Sequence, residues 1–306
     1  MDIKPAGLIV SALNDMSFSL FYMFCRWMHF SALIALIGCS TFTVLLAPCR
    51  FREHLRKKFH IVLVCAAALT LLSTIMLLAG HTALLVGSWQ DLKNVTLWQA
   101  VLQTHVGLVW QWQLFAAGAG AAAVLASNRR RHTLWLLSGI AQLVGLALIG
   151  HAAMSEDLTG AFHRANQMVH LISAAFWAGG LIPVVLLLQD VRRADTRFDA
   201  LKTLMRYSRY GHIAVALVVL TGVLNVLLIL GWPPESFHLY TRLLLLKSVL
   251  VAAMCLMALF NRYWLVPRFQ CGDNTRNLFM LTTLMEILFS VVVLLLVSVF
   301  ATLEPA

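Results

Sequence analysis

IVLVCAAALTLLSTIMLLAGHTALLV, residues 61–86, runs for 26 positions without Asp, Glu, Lys or Arg. As a helix it is about 39 Å long, enough to cross a hydrocarbon layer of about 30 Å. It lacks period-two alternation, so it reads as a helix and not as a barrel strand. Immediately before it stands Arg52-Glu53-His54-Leu55-Arg56-Lys57-Lys58, a basic run of the kind that stays cytoplasmic.

The same grammar recurs along the chain. Apolar runs at about 20–47, 60–86, 104–126, 133–154, 164–189, 210–231, 240–266 and 277–302 predict an all-α, polytopic transmembrane bundle of about eight helices. Composition agrees: 60% of the 306 residues are hydrophobic and 12% charged, against about a quarter charged in a soluble domain. Such a chain cannot cover a core with polar surface, and in lipid only helices or closed barrels satisfy the backbone. Pro48, Pro233, Pro234 and Pro267 fall at or beyond the predicted ends.

The net charge of +10 is a matter of topology and not of nucleic-acid binding. Arg50, Arg52, Arg56, Lys57 and Lys58 lie between spans 1 and 2, and Arg129, Arg130 and Arg131 between spans 3 and 4. Arg192, Arg193, Arg197, Lys202, Arg206 and Arg209 lie between spans 5 and 6, and Arg262, Arg268 and Arg276 around the last connection. The other side carries only Lys4, Lys93, Arg164 and Arg242. Both termini are therefore expected outside the cytoplasm. Residues 1–19 lack a cleavable-signal pattern and are expected to remain as an outer N-terminal segment ahead of the domain at 20–302. The six cysteines include no CxxC or CxxCH, and no disulfide is expected.

A weak internal repeat relates 20–154 to 164–302. His29 and His170 are each followed nine positions later by a glycine, Gly38 and Gly179, and the run 68–72 echoes 216–220.

Histidine placement carries the functional reading. His54, His60 and His132 sit in or beside basic connections and are expected to be solvated, His163 and His238 lie on the outer side, and His212 is near the basic side. Measured outward from each span's midpoint, His29 falls at about 7 Å, His81 at about 12 Å, His105 at about 15 Å, His151 at about 11 Å and His170 at about 10 Å. Ionisable groups at membrane depth are costly and mark functional interiors. Cys25 shares a helix face with His29, and Met154 with His151. Imidazole with thiol and thioether suits copper above calcium or magnesium. The candidate metal ligands are His29, His81, His105, His151, His170, Met154 and Cys25, with Arg26, Lys247 and Glu286 as structural or coupling charges. No Walker-type motif points to an ATP-driven pump, and no catalytic residues are assigned.

Arg26-Trp27-Met28-His29, Ala79-Gly80-His81, Gly150-His151 and Asn166-x3-His170-x6-Trp177-Ala178-Gly179-Gly180-Leu181 carry a resemblance that continues to the end of the chain. It runs through Tyr207-Ser208-Arg209, Thr221-Gly222-x2-Asn225, Tyr240-x6-Lys247, Asn261-Arg262-x4-Pro267 and Glu286. In order and spacing these residues resemble the CopD/PcoD family of bacterial copper-resistance inner-membrane proteins over about 20–302. The resemblance implies copper handling at the inner membrane, movement of copper toward the cytoplasm, and a separate periplasmic copper carrier of the CopC/PcoC type. Two other readings stand beside it. Paired histidines at matched depth also suit bis-His haem b, in outline similar to the cytochrome b561 type, and a copper-binding sensor or scaffold would need no translocation.

Overall fold

The computed structural model describes residues 4–87, 89–149, 157–230, 239–271 and 273–300. Among them are nine α-helices: α1 (Lys4–Thr41), α2 (Arg52–Val86), α3 (Val95–Leu102), α4 (His105–Ala122), α5 (Asn128–Leu146), α6 (Leu158–Arg192), α7 (Arg197–Leu230), α8 (Leu239–Phe260) and α9 (Asp273–Phe300). Among the described residues seven stretches are long and apolar enough to cross a membrane: Met16–Leu46, Arg52–Val86, His105–Leu125, Leu158–Arg192, Arg197–Ile229, Leu239–Arg268 and Asn274–Phe300. The fourth predicted span appears as α5, helical as far as Leu146, and residues 150–156 lie outside the described residues. The protein is a polytopic helical bundle.

The helices overrun the apolar runs. α1 is already helical at Lys4, where a separate N-terminal segment was expected, and the basic residues Arg52–Lys58 and Arg197–Arg209 extend α2 and α7 instead of forming loops. Charged side chains do not end a helix; caps and breakers do. α2 stops at Gly87, which takes the left-handed conformation (φ 72°) and donates its N–H to the Ala83 carbonyl. Asn94, Thr104 and Asp157 cap α3, α4 and α6 through their side-chain oxygens. The short α3 was not legible as an apolar run. Two π-helical turns, Phe42–Leu46 after α1 and Asn261–Leu265 after α8, precede Pro48 and Pro267.

α1 is the axis of the bundle, packing against α2, α5, α6 and α9. Its crossing with α6 is a backbone contact. A β-carbon on Gly38 would overlap the Gly179 carbonyl, and one on Gly179 would overlap the Ile34 carbonyl. Small residues permit this approach where the hydrophobic effect does not drive helices together. Pro183 sits inside α6 and has no N–H to give the Gly179 carbonyl one turn earlier.

The basic end is tied across helices by charge. His54 Nε2 lies 2.9 Å and Lys58 Nζ 2.5 Å from the two oxygens of Asp190, which is 1% exposed. Arg50 Nε donates to Asp199 at 2.6 Å, and that carboxylate raises the Arg50 pKa. Removing one partner of a buried ion pair leaves the other uncompensated, at a cost of about 3 kcal/mol or more. Asp190→Ala is therefore expected to lower thermal stability in detergent clearly, and Arg50→Ala, whose side chain is mostly exposed, by little. His132, expected to be solvated, is instead fully buried, with Nδ1 3.2 Å from the Thr43 hydroxyl and its ring edge-on to Trp135.

Candidate metal centre

α1 and α2 pack side by side, and His29 on α1 points at α2. The imidazole is fully buried, with Nδ1 2.9 Å from Ser73 Oγ and the Thr70 carbonyl also facing the ring. Ser73 has one proton, which its hydroxyl spends on its own helix, donating to the Leu69 carbonyl at 2.6 Å or the Thr70 carbonyl at 3.1 Å. Toward His29 it can only accept. The proton is thus on Nδ1, and Nε2 carries a free lone pair. Nε2 is buried and has no hydrogen-bond partner.

Such an orphan atom requires a ligand or an ordered water. It has company. Trp110 Nε1 on α4, Gln113 Oε1 on α4 and Gln142 Oε1 on α5 are also buried without partners. Gln113 Nε2 donates to the Gln142 carbonyl at 2.8 Å, and Trp110 belongs to the same cluster as Cys25, Tyr22, Leu77 and Leu78. Gly139, one turn before Gln142, abuts Leu36 and Ile37 of α1. These contacts place the two glutamines within about a turn or so of the depth of His29. The glutamines were missed in the sequence; an uncharged amide inside an apolar run was the available signal.

Cys25 is fully buried one turn outward of His29. Arg26 lies 5.2 Å over the Phe30 ring and acts electrostatically on His29.

The second described candidate at this depth is His170 on α6. Its Nδ1 is 2.9 Å from Thr221 Oγ1 on α7, and the Val218 carbonyl faces the ring. Thr221 donates to the Leu217 carbonyl at 2.5 Å, so the same argument puts the proton on Nδ1. One turn outward, Asn166 donates to the Thr221 carbonyl at 2.9 Å and to Asn225 Oδ1 at 2.8 Å. Lys247 on α8 is near enough to act electrostatically on His170.

The other candidates stand apart. Ser73 is level with His29, and His81 is eight residues further along α2, about 12 Å outward. There its neighbour Gly80 abuts Phe21 and Tyr22 of α1. His105 is exposed at the first position of α4. His151 and Met154 lie outside the described residues. Among the described residues no three His, Cys, Asp or Glu side chains gather as a metal cluster, and of the described histidines of the expected layer His29 and His170 are the two that a hydroxyl on the following helix holds in the same way.

Lys247 and Glu286 form no ion pair with each other. Glu286 is 2% exposed, and its Oε1 accepts from Asn261 Nδ2 at 2.6 Å. Asn261 Oδ1 in turn accepts from Thr282 at 2.5 Å. Glu286 and Asn261 line a cavity of about 810 Å³ in the basic half, bounded also by Tyr207, Cys255, Arg262 and Arg276. The cluster Trp177, Ala214, Val218 and Met254 packs at its inner end, beside the turn that bears Thr221.

A bundle of apolar helices with imidazoles held by hydroxyls inside it belongs to the class of multi-pass membrane proteins with an intramembrane polar site. Two family models match, the Copper resistance protein D-like N-terminal domain over residues 16–161 and Copper resistance protein D over 201–300. Inner membrane protein YebZ of Escherichia coli (strain K12) is 40% identical over 281 residues, covering 92% of this chain and 97% of that one. Copper resistance protein D of Pseudomonas syringae pv. tomato is 36% identical over 180 residues, 56% of this chain and 57% of that one. Copper transport protein CutJ of Bacillus subtilis (strain 168) is 29% identical over 167 residues, 52% of this chain and 30% of that one. No solved structure matches significantly. The chain belongs to the copper resistance protein D family and is a multi-pass protein of the inner membrane.

Proposed function

We propose that this protein binds copper in the outer half of the membrane through His29 Nε2, with Cys25 as a soft donor one turn outward, and passes it toward the cytoplasm. The observation that carries this reading is the buried, partnerless lone pair of His29, fixed in the tautomer a metal requires. A neutral imidazole and a thiol inside an apolar bundle suit Cu(I). His170 provides the next imidazole at the same depth, and His151 and Met154 are retained as further candidate donors. A separate periplasmic carrier of the CopC/PcoC type would deliver the ion to the outer face.

A route toward the cytoplasm, the direction that the resemblance implies, is offered by the cavity in the basic half. It brings Glu286 and Cys255 close to the turn bearing Thr221, with the Trp177–Met254 cluster between. Copper leaving the imidazoles would enter this space after a short step through that cluster.

Metal analysis and a visible spectrum of one purified sample test the binding claim. Stoichiometric copper without a Soret band is expected; a Soret band at stoichiometric haem would replace copper with haem b. Copper uptake into proteoliposomes tests movement. Wild-type protein should transport, and Glu286→Gln should slow uptake several-fold while leaving bound copper unchanged. Bound copper with no flux in the wild type would leave a sensor or scaffold in place of a permease.

A further inference from the structure

The two imidazoles are held in the same way, and the match extends beyond them. His29, Cys25 and Gly38 stand to His170, Asn166 and Gly179 by the same step of 141 positions. Their partners on the following helix, Ser73, Thr70 and Leu77, stand to Thr221, Val218 and Asn225 by the same step of 148. The imidazole pairings are contacts in both halves. His29 meets Ser73 and the Thr70 carbonyl, as His170 meets Thr221 and the Val218 carbonyl. Cys25 and Leu77 share one buried cluster, as Asn166 and Asn225 share a hydrogen bond. The equivalent glycines Gly38 and Gly179 touch each other where α1 crosses α6, as expected of elements related by an internal two-fold axis at the crossing.

We infer that the chain carries one imidazole-presenting device twice, with Ser73 and Thr221 as its positioning residues, and that the two copies have diverged in what stands beside the imidazole. In each copy the hydroxyl gives its proton to its own helix, accepts Nδ1–H, and leaves the Nε2 lone pair for a ligand. Outer hydrogen-bond partners of this kind fix the tautomer and orientation of metal-binding histidines and are worth about 10–100-fold in metal affinity. The first copy adds the Cys25 thiol. The second replaces it with the Asn166 amide, tied to Asn225 and hence to Gln167 at 2.8 Å, while each copy has a basic side chain near its imidazole, Arg26 at the first and Lys247 at the second. With a thiol beside one imidazole and an amide beside the other, a soft cation is favoured at the first copy over the second, and the second suits a transfer or polar-relay position better than storage. The assignment of the ligand as copper rests on the function proposed above; the tautomer does not.

The test uses ¹⁵N spectra of histidine-labelled, metal-free protein in micelles, with His29 and His170 assigned by the resonances lost in H29N and H170N. Both rings are expected as the Nδ1–H tautomer. S73A should release His29 alone into a tautomer mixture and T221A should release His170 alone, while S73T and T221S should restore the wild-type pattern. Cu(I) titration should show binding about tenfold weaker or more in S73A, near wild type in S73T, and little changed in T221A. An Nε2–H tautomer at either ring, or spectra untouched by S73A and T221A, would overturn the device. Equal losses of copper affinity in S73A and T221A would overturn the divergence of the copies. Correct tautomers in a protein that binds no Cu(I) would leave the device standing and remove the copper function instead.

Discussion

His29→Ala is expected to abolish high-affinity copper binding while leaving a folded protein. Loss of an outer hydrogen-bond partner alone costs about 10–100-fold in metal affinity, so loss of the imidazole should exceed that. The fold should survive because Ser73 keeps its bonds to the Leu69 and Thr70 carbonyls when the ring is removed, so no buried donor is stranded on α2. The space left is one imidazole wide, a cost of the order of 2–3 kcal/mol. His81→Ala and His105→Ala form the contrast: one ring sits about 12 Å further out by helix rise, and the other is exposed at the start of α4. Both should bind copper within about twofold of wild type, an expectation drawn from the near-additivity of distant sites. Competition titration with a Cu(I) chelator reads all three. Equal losses in the three variants would return the site to the broad histidine layer expected from the sequence.

Gly38→Ala should be among the most damaging single changes outside the site. The added methyl would lie 2.0 Å from the Gly179 carbonyl oxygen, and both partners are backbone on long helices, so neither can rotate away. α1 and α6 must separate, and α1 is the helix against which α2, α5 and α9 also pack. Overpacking of this kind costs about 3 kcal/mol or more. Gly118→Ala is the matched control, because a methyl there meets nothing within 4 Å, and it should be neutral or slightly stabilising from helix propensity. Thermal unfolding and size-exclusion profiles in detergent distinguish them. A Gly38→Ala protein as stable and monodisperse as Gly118→Ala would mean that the crossing is looser than the glycine contact implies.

The sequence discloses the fold because lipid imposes it. A run such as 61–86 has few alternatives in an apolar solvent, and the basic connections repeat on one side. The limits of each helix were less legible, because Arg52–Lys58 and Arg197–Arg209 read as loops when charge is taken as a sign of water. They are helical extensions at the basic end, where His54 and Lys58 of the first meet Asp190, and Asp199 of the second meets Arg50.

Within the site, His29, His170 and Cys25 were legible as costly or soft groups at membrane depth. Ser73 was not, and Thr221 showed only within the run Thr221-Gly222-x2-Asn225 without a role, because a hydroxyl in a helix usually bonds its own backbone and leaves no trace in the hydrophobic pattern. Only the pairing of α1 with α2 and of α6 with α7 reveals that the same hydroxyls also accept from the histidines. Lys247 and Glu286, named together as structural or coupling charges, serve different places in the second half, one near His170 and the other bonded to Asn261.

X-ray absorption at the copper edge of the purified, Cu(I)-loaded protein asks the decisive question of which atoms hold the ion. Imidazole scattering together with a sulfur neighbour is the predicted spectrum, with the imidazole contribution lost in His29→Ala. A copper environment without imidazole, or one that His29→Ala leaves unaltered, would contradict the account.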